Sequence, residues 1–293
     1  MDIRRPTKPF ITPIEDSRRW ASVRLWPDDI IIATPPKCGT TWTQGIVRSL
    51  LWPNGDAPGS RAELSPWVDM KLGSLPEVVE RLESATHRRF IKTHSPADAI
   101  PLADGIRYVT VYRDPADALV SWGNHRARMK PEIVRELNRL NADQGLDVLP
   151  ETFTGDYDEL FGEWAAYCSP ARHLATFWPL RDHDNVMLMH YTELWSDLES
   201  AMRRIARFLD IEVPASAWPG VIERCGMEAM RSEADTPKMH DRFLGGAAGF
   251  FYEGGNGRGR RLLSEAQVAR CVQHCADHLP PDAARWLAGD GSL

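Results

Sequence analysis

Thr34-Pro35-Pro36-Lys37-Cys38-Gly39-Thr40-Thr41-Trp42 places an ammonium group, two adjacent hydroxyls and an indole within one short segment. The apolar run Ile30-Ile31-Ile32-Ala33 precedes it, and the helical pattern Gln44-Gly45-Ile46-Val47-Arg48-Ser49-Leu50-Leu51 follows. The segment therefore reads as strand, tight loop and helix start. Backbone N–H groups at a helix N-terminus lack intrahelical partners and carry partial positive charge, which suits a phosphate. Lys37 adds a mobile full charge, Thr40 and Thr41 add donors, and Trp42 offers a face on which a base can stack. The pattern is not G-x-x-x-x-G-K-[ST], so the common nucleoside-triphosphate loop is absent.

Phe90-Ile91-Lys92-Thr93-His94 is the second such element. Residues two apart on a strand share a face, so Lys92 and His94 point the same way at the strand's C-terminal end. An imidazole titrating near neutrality can take a proton from a hydroxyl, and an adjacent ammonium can hold developing negative charge. The plainer alternatives are a histidine bonded to backbone and a solvated lysine. Arg113 ends a third apolar run, where its planar fork suits a phosphate. Asp114-Pro115 reads as an N-cap followed by proline at the first helical position. Ser121 lies about two turns further along that helix.

These groups need a scaffold that brings strand ends together. Residues 30–34, 90–93, 108–112 and 186–190 read as short buried strands. Helical patterns cover 41–51, 75–83, 115–128, 157–175, 194–209, 219–231 and 265–278. The alternation predicts an α/β fold, a central parallel sheet flanked by helices, with ligands at the carboxyl ends of its strands. Residues 129–154 read as a polar insertion over the site. Residues 245–261, rich in glycine and arginine, read as a long mobile loop. No repeat or linker divides the chain, which predicts one domain over residues 1–293.

Composition narrows the function. The chain has 293 residues, 43% hydrophobic and 26% charged, with a formal net charge of -6. That balance fits a soluble globular protein and argues against nucleic acid as a partner. The five cysteines, Cys38, Cys168, Cys225, Cys271 and Cys275, form no CxxC pair and read as reduced thiols. Cys271, His274, Cys275 and His278 share a helix face, but ligands along one straight helix cannot surround a tetrahedral ion, so no metal is expected. The N-terminus lacks the apolar core of a signal peptide, and no run approaches the ~18 apolar residues of a membrane span. A cytoplasmic location without membrane partners is the expectation.

Taken together, three ordered segments make the chain resemble a cytosolic-type sulfotransferase of bacterial kind. Thr34–Trp42 is similar to that family's 5′-phosphosulfate loop. Tyr112-Arg113-Asp114-Pro115-Ala116-Asp117-Ala118-Leu119-Val120-Ser121 is similar to its 3′-phosphate motif. Phe250-Phe251-Tyr252-Glu253-Gly254-Gly255-Asn256-Gly257-Arg258-Gly259-Arg260 is similar to its glycine-rich C-terminal loop. The resemblance implies a P-loop-like sulfotransferase fold and 3′-phosphoadenosine 5′-phosphosulfate (PAPS) as sulfuryl donor. Adenosine 3′,5′-bisphosphate is then the product, and no metal is needed. It implies His94 as general base, and Lys37 and Lys92 as stabilisers of the transition state. It also implies that Ser121 contacts the 3′-phosphate and restrains Lys37 until an acceptor binds.

The same resemblance assigns cofactor binding to Lys37, Cys38, Gly39, Thr40, Thr41, Trp42, Arg113, Ser121, Tyr191, Phe251, Gly254, Gly257 and Arg258. Trp42, Tyr191 and Phe251 would sandwich the adenine, and Cys225-Gly226-Met227 is loosely similar to an adenine-contacting segment. The chain departs from the pattern at Pro35, Cys38, Tyr252, Glu253 and Gly259. Glu253 would repel a phosphate, with Arg258, Arg260 and Arg261 near enough in sequence to compensate. Arg260, Ser264-Glu265 and Ala269 stand at the spacing of a family dimer motif without matching it, so an oligomer stays unsupported. The acceptor is expected to be a small molecule bearing a hydroxyl, with Trp122, His125 and aromatics near Phe153 lining its pocket. A nucleotide-dependent phosphotransferase and a catalytically impaired nucleotide-binding protein are the alternatives.

Overall fold

The computed structural model describes residues 3–251 and 254–289. Four parallel strands form the central sheet: β1 (Ile30–Ala33), β2 (Phe90–Thr93), β3 (Arg107–Tyr112) and β4 (Val186–His190). Their spatial order is β2-β1-β3-β4. Ile32 aligns with Lys92 on one side and Val109 on the other, so the strand ends lie along one edge. A separate antiparallel pair joins Ile3–Arg4 to Leu102–Ala103.

The period-two alternation of each strand divides the core. Ile31, Ile91, Tyr108 and Tyr112 pack with Leu174, Phe177, Trp178 and Trp286. Ile30, Ile32, Phe90, Val109 and Val111 face the other way, onto Ile46, Leu50, Met202 and Ile205. Both faces are buried, which is why the strands read as continuous apolar runs. Among the described residues, no helix is long and apolar enough to cross a membrane.

Helices α1 (Thr40–Leu51) and α2 (Pro115–Arg128) follow β1 and β3. The Asp114 carboxylate caps α2 by accepting the N–H of Asp117 at 3.0 Å. The pattern over 157–175 divides into two helices, Tyr157–Tyr167 and Pro170–Phe177. Ser169 caps the second, and Pro170 has no N–H to continue the first. Caps likewise divide 194–209, where Asp197 starts a new helix, and Cys225-Gly226 interrupts 219–231.

The insertion is more ordered than its polarity suggests. It contains α3 (Pro131–Ala142), which buries Val134, Leu137 and Asn141. Met129 pairs with Phe243, and Lys130 N–H donates to the Arg242 carbonyl at 3.0 Å. The segment expected as a long mobile loop forms two short helices, Gly246–Phe250 and α4 (Arg258–Leu262). Tyr252 and Glu253 lie outside the described residues, so the proposed repulsion by Glu253 does too.

Gly259 shows why α4 can sit where it does. A Cβ there would lie 2.4 Å from the Ala116 carbonyl carbon and 2.6 Å from the Asp117 nitrogen. Gly259→Ala should therefore cost about 1–3 kcal/mol through overpacking against α2. A Cβ at Gly162, inside a helix, meets nothing within 4 Å. Gly162→Ala should instead stabilise by about 0.5–1 kcal/mol. Denaturant unfolding of both variants checks the opposite signs.

Candidate active site

The chain leaves β1 at Thr34, whose side chain and carbonyl tie three elements together. Its hydroxyl accepts the Val111 N–H from β3 at 3.2 Å. Its carbonyl accepts a hydrogen bond from His94 Nδ1, just past β2. The loop then turns through two left-handed residues, Lys37 (φ 65) and Gly39 (φ 110). Gly39 is required twice over: by its φ, and because a Cβ would come 3.1 Å from the Tyr191 ring. No side chain caps α1, so its first N–H groups remain available at the loop.

Lys92 and His94 emerge side by side, as their spacing requires. Both pack on Trp67: the Lys92 ammonium sits 3.6 Å above the indole, and His94 meets it edge-on at 4.8 Å. A carbonyl can only accept, so the bond to Thr34 places the His94 proton on Nδ1 and leaves Nε2 with a lone pair. Burial, then the charge of Lys92, holds the ring well below the usual histidine range. It is neutral at pH 7 with a free lone pair, and it is a weaker base than the near-neutral titration expected from the sequence. Burial also pushes Lys92 down to about 7 and Lys37 to about 8, with Arg113 adding repulsion at Lys37. Both lysines still line a cavity, so their charge is available to an anion that enters it.

The Lys37 ammonium lies 3.3 Å from His125 Nδ1 and 4.7 Å from the Phe250 ring centre. Burial, then the Lys37 charge, keeps His125 neutral, so Nδ1 accepts from the ammonium. Arg113 is buried at the end of β3, with its guanidinium 4.5 Å from the Tyr191 ring centre. It donates to the Gly255 carbonyl, while its Nε is buried without a hydrogen-bond partner. Asp117, one turn into α2, accepts the N–H groups of Gly257 at 2.8 Å and Gly259 at 2.6 Å. This carboxylate clamps the glycine-rich segment to the strand-end edge.

One cavity of about 680 Å³ joins these parts. Its walls include Lys37, Lys92, His94, Arg113, Ser121 and Tyr191, and the glycine-rich segment adds Phe250, Phe251, Gly254 and Arg258. A neutral imidazole, two ammonium groups, a guanidinium and uncapped helix N–H groups thus surround one space. That set can bind a phosphorylated anion and deprotonate a hydroxyl beside it.

Residues 27–280 match the family described as Sulfotransferase domain. The chain belongs to the sulfotransferase family. A glycolipid sulfotransferase of Mycobacterium bovis is 31% identical, over 92% of this chain and 91% of the relative. Sulfotransferase 1A1 of Rattus norvegicus is 25% identical, over 72% of this chain and 69% of its own. Retinol dehydratase, solved with retinol and PAP, superposes with a TM-score of 0.69 at 18% identity, covering 91% of this chain and 87% of its own. Mouse sulfotransferase SULT7A1 with PAP gives 0.68 at 18%, covering 97% of each chain. These likenesses of fold agree with the expected α/β sulfotransferase architecture.

In this sulfotransferase most of the expected site residues share the cavity. Gly39, Thr40, Thr41, Trp42, Phe251, Gly254 and Arg258 line it together with Lys37, Lys92, His94, Arg113, Ser121 and Tyr191. Cys38 does not: its side chain is buried in the core with Ala116 and Leu119, and its N–H bonds to the Pro35 carbonyl at 3.3 Å. Gly257 does not either, because Asp117 holds its N–H. Lys37 rests on His125 rather than on Ser121, although Ser121 lies on the same wall. The rings of Trp42 and Tyr191 meet edge-on at 5.4 Å, so no base fits between that pair. A sandwich needs about 7 Å, twice the ~3.5 Å carbon contact distance. Met227 lines the same cavity, with its methyl group 2.8 Å from where a Cβ on Gly254 would stand. Trp122 and His125 line the cavity as expected, whereas Phe153 packs on Tyr157.

Trp67 and Glu15 escaped the reading of the sequence, since no period or motif marks them. Asp117 lies within the 3′-phosphate motif, but its hold on Gly257 and Gly259 is a contact distant in the chain. Cys271 and Cys275 are buried in the core, and His274 Nε2 bonds the Ser169 hydroxyl at 2.7 Å.

The His94 geometry has a direct spectroscopic consequence. Its ring should stay neutral between about pH 6 and 8, as the Nδ1–H tautomer, where a free histidine titrates. Imidazole nitrogen shifts measure this. A protonated ring at neutral pH, or the Nε2–H tautomer, would contradict it.

Proposed function

We propose that this enzyme moves a sulfuryl group from PAPS to an acceptor hydroxyl. The observation that carries this reading is the convergence of Lys37, Lys92, His94, Arg113 and Ser121 on one cavity. The Arg113 guanidinium, whose Nε faces the Asp117 carboxylate at 3.7 Å, and the uncapped start of α1 fit the two phosphate positions of an adenosine 3′,5′-bisphosphate. Arg113 and Ser121 hold the 3′-phosphate, and Thr40, Thr41 and the α1 N–H groups hold the 5′ end. Trp42, Met227 and Phe251 offer apolar surface to the adenine, with Tyr191 at its edge.

His94 Nε2 takes the acceptor proton as the hydroxyl oxygen bonds to sulfur. The S–O bond to the 5′-phosphate breaks in line, and Lys37 meets the charge left on that phosphate oxygen. Lys92, held over Trp67, donates to the sulfuryl oxygens. The same walls include Met70, Leu72, Ile133, Met239, Phe243 and Phe250, apolar surface for the body of the acceptor. The name of the mycobacterial relative supports an acceptor that is in part lipid-like.

Transfer of labelled sulfate from PAPS in the presence of EDTA tests the reaction class. Selective thermal stabilisation by adenosine 3′,5′-bisphosphate over ATP tests the donor. Equal stabilisation by ATP, with EDTA abolishing activity, would instead fit a phosphotransferase. His94→Ala should lower turnover by about 10²–10⁴-fold with little change in donor affinity. Arg113→Ala should weaken adenosine 3′,5′-bisphosphate binding and spare the His94 chemistry.

The lysines set the pH dependence. Each has its pKa lowered, so each is charged below and neutral above that value. In the free enzyme kcat/KM for PAPS should fall by about tenfold or more between about pH 7 and 9, as Lys92 and then Lys37 lose their protons. The fall in kcat should come at higher pH, because bound donor anion favours the ammonium forms. Coincident alkaline limbs would remove the lysines from donor binding.

A further inference from the structure

Glu15 is buried, 3% exposed, and forms part of the cavity wall. Its Oε2 has no hydrogen-bond partner. The backbone around it is firmly held. Glu15 pairs with Met70, its N–H donates to Thr12 Oγ1 at 3.0 Å, and Asp16 N–H donates to the Asp69 carbonyl at 2.8 Å. Lys92 and Lys71 lie near enough to act on its charge, but neither donates a hydrogen bond to it. Lys92 lies over Trp67, and Lys71 donates to the Thr12 carbonyl and to Asn141 Oδ1, both at 2.6 Å. The neighbouring buried carboxyl, Asp69, takes the hydroxyls of Thr93 and Ser95 on one oxygen. Glu15 is thus a buried carboxyl in the cavity wall whose Oε2 receives no hydrogen bond from the protein. Such a group costs free energy unless something supplies a hydrogen bond.

We propose that Glu15 binds the acceptor by taking a hydrogen bond from a second hydroxyl, beside the one that receives sulfate. The acceptors it favours are polyols, such as a sugar headgroup, carrying an apolar tail. This rests on the sulfuryl-transfer reading for the position of the reacting hydroxyl. A hydroxyl fits better than an ammonium group, because Lys37, Lys92, Arg61, Arg81, Lys238 and Arg242 already give the walls positive charge. A hydroxyl can also pair with the carboxyl in either protonation state. The apolar surface of Met70, Leu72, Ile133 and Phe243 then takes the tail.

Octyl β-D-glucopyranoside and 1-octanol share a tail and differ in the number of hydroxyls. Their binding to the full chain is measured by calorimetry, with and without adenosine 3′,5′-bisphosphate, so the result does not depend on catalysis. Glu15→Leu removes the acceptor atoms at similar volume. It should weaken the glucoside by about tenfold or more, equivalent to about 1.4 kcal/mol per tenfold, and leave 1-octanol within about twofold. The same variant should unfold at equal or higher temperature, since it loses an unpaired buried carboxyl. Glu15→Gln, which keeps an oxygen in place, should restore most of the glucoside affinity. If sulfate is transferred, KM for the glucoside should rise in Glu15→Leu more than kcat falls.

Failure of the wild type to bind the glucoside overturns the proposal, as does equal weakening of both probes. A Glu15→Leu chain that loses kcat for every acceptor and shifts the pH profile would make Glu15 a counter-ion for Lys92, which also overturns it. Should Glu15→Leu not fold, Glu15→Ala carries the same comparison. Loss of sulfate transfer with the binding difference intact would sink the reaction reading and leave Glu15 as a polyol contact.

Discussion

The carbonyl oxygen of Thr34 accepts the Nδ1 proton of His94, and the Thr34 hydroxyl accepts the backbone N–H of Val111. These two bonds connect the carboxyl ends of three neighbouring strands. They set the tautomer of the imidazole, the exit direction of the phosphate-type loop and the spacing of β1 from β3 beyond the last ladder pair. All of this is possible because the sheet is parallel, so every strand delivers its end to the same edge. Lys37, His94, Arg113 and Tyr191 follow four different strands and meet there.

Low local polarity gives these groups their chemistry. Burial lowers the proton affinity of His94, Lys37 and Lys92 together, which leaves a neutral imidazole beside lysines that an incoming anion can charge. The protein supports this arrangement from outside the cavity. Trp67 carries Lys92 and His94 on one indole, His125 holds Lys37, and Asp117 anchors the glycine-rich segment through two backbone donors. Each support is a contact between segments far apart in the chain. Arg113 Nε and Glu15 Oε2 are buried without hydrogen-bond partners, and Asp117 stands 3.7 Å from the former.

Much of the scaffold was legible because its signals are local. The four strands are short apolar runs, and their observed bounds differ from the expected ones by a residue at most. Asp114-Pro115 announced the start of α2 through cap chemistry that spans four residues. Helix divisions at Ser169-Pro170 and Asp197 were local as well, but apolar periodicity running through both sides masked them. The glycine-rich segment was misread as a loop, and the helix inside the polar insertion was not foreseen. Their order comes from packing on α2 and on each other, which composition does not record.

The sequence by itself determined the parallel α/β class, the family, and the two lysines, histidine and arginine at strand ends. Period-two alternation and short motifs act over a few residues and survive without knowledge of the rest of the chain. Only the tertiary structure decided that the Cys38 side chain faces the core, that Trp42 and Tyr191 touch rather than flank a base, and that His125 holds Lys37. It alone revealed Trp67 and Glu15 at the cavity. Side-chain direction at a loop depends on which distant segments pack around it, and burial, which sets every shifted proton affinity here, is a property of the closed fold.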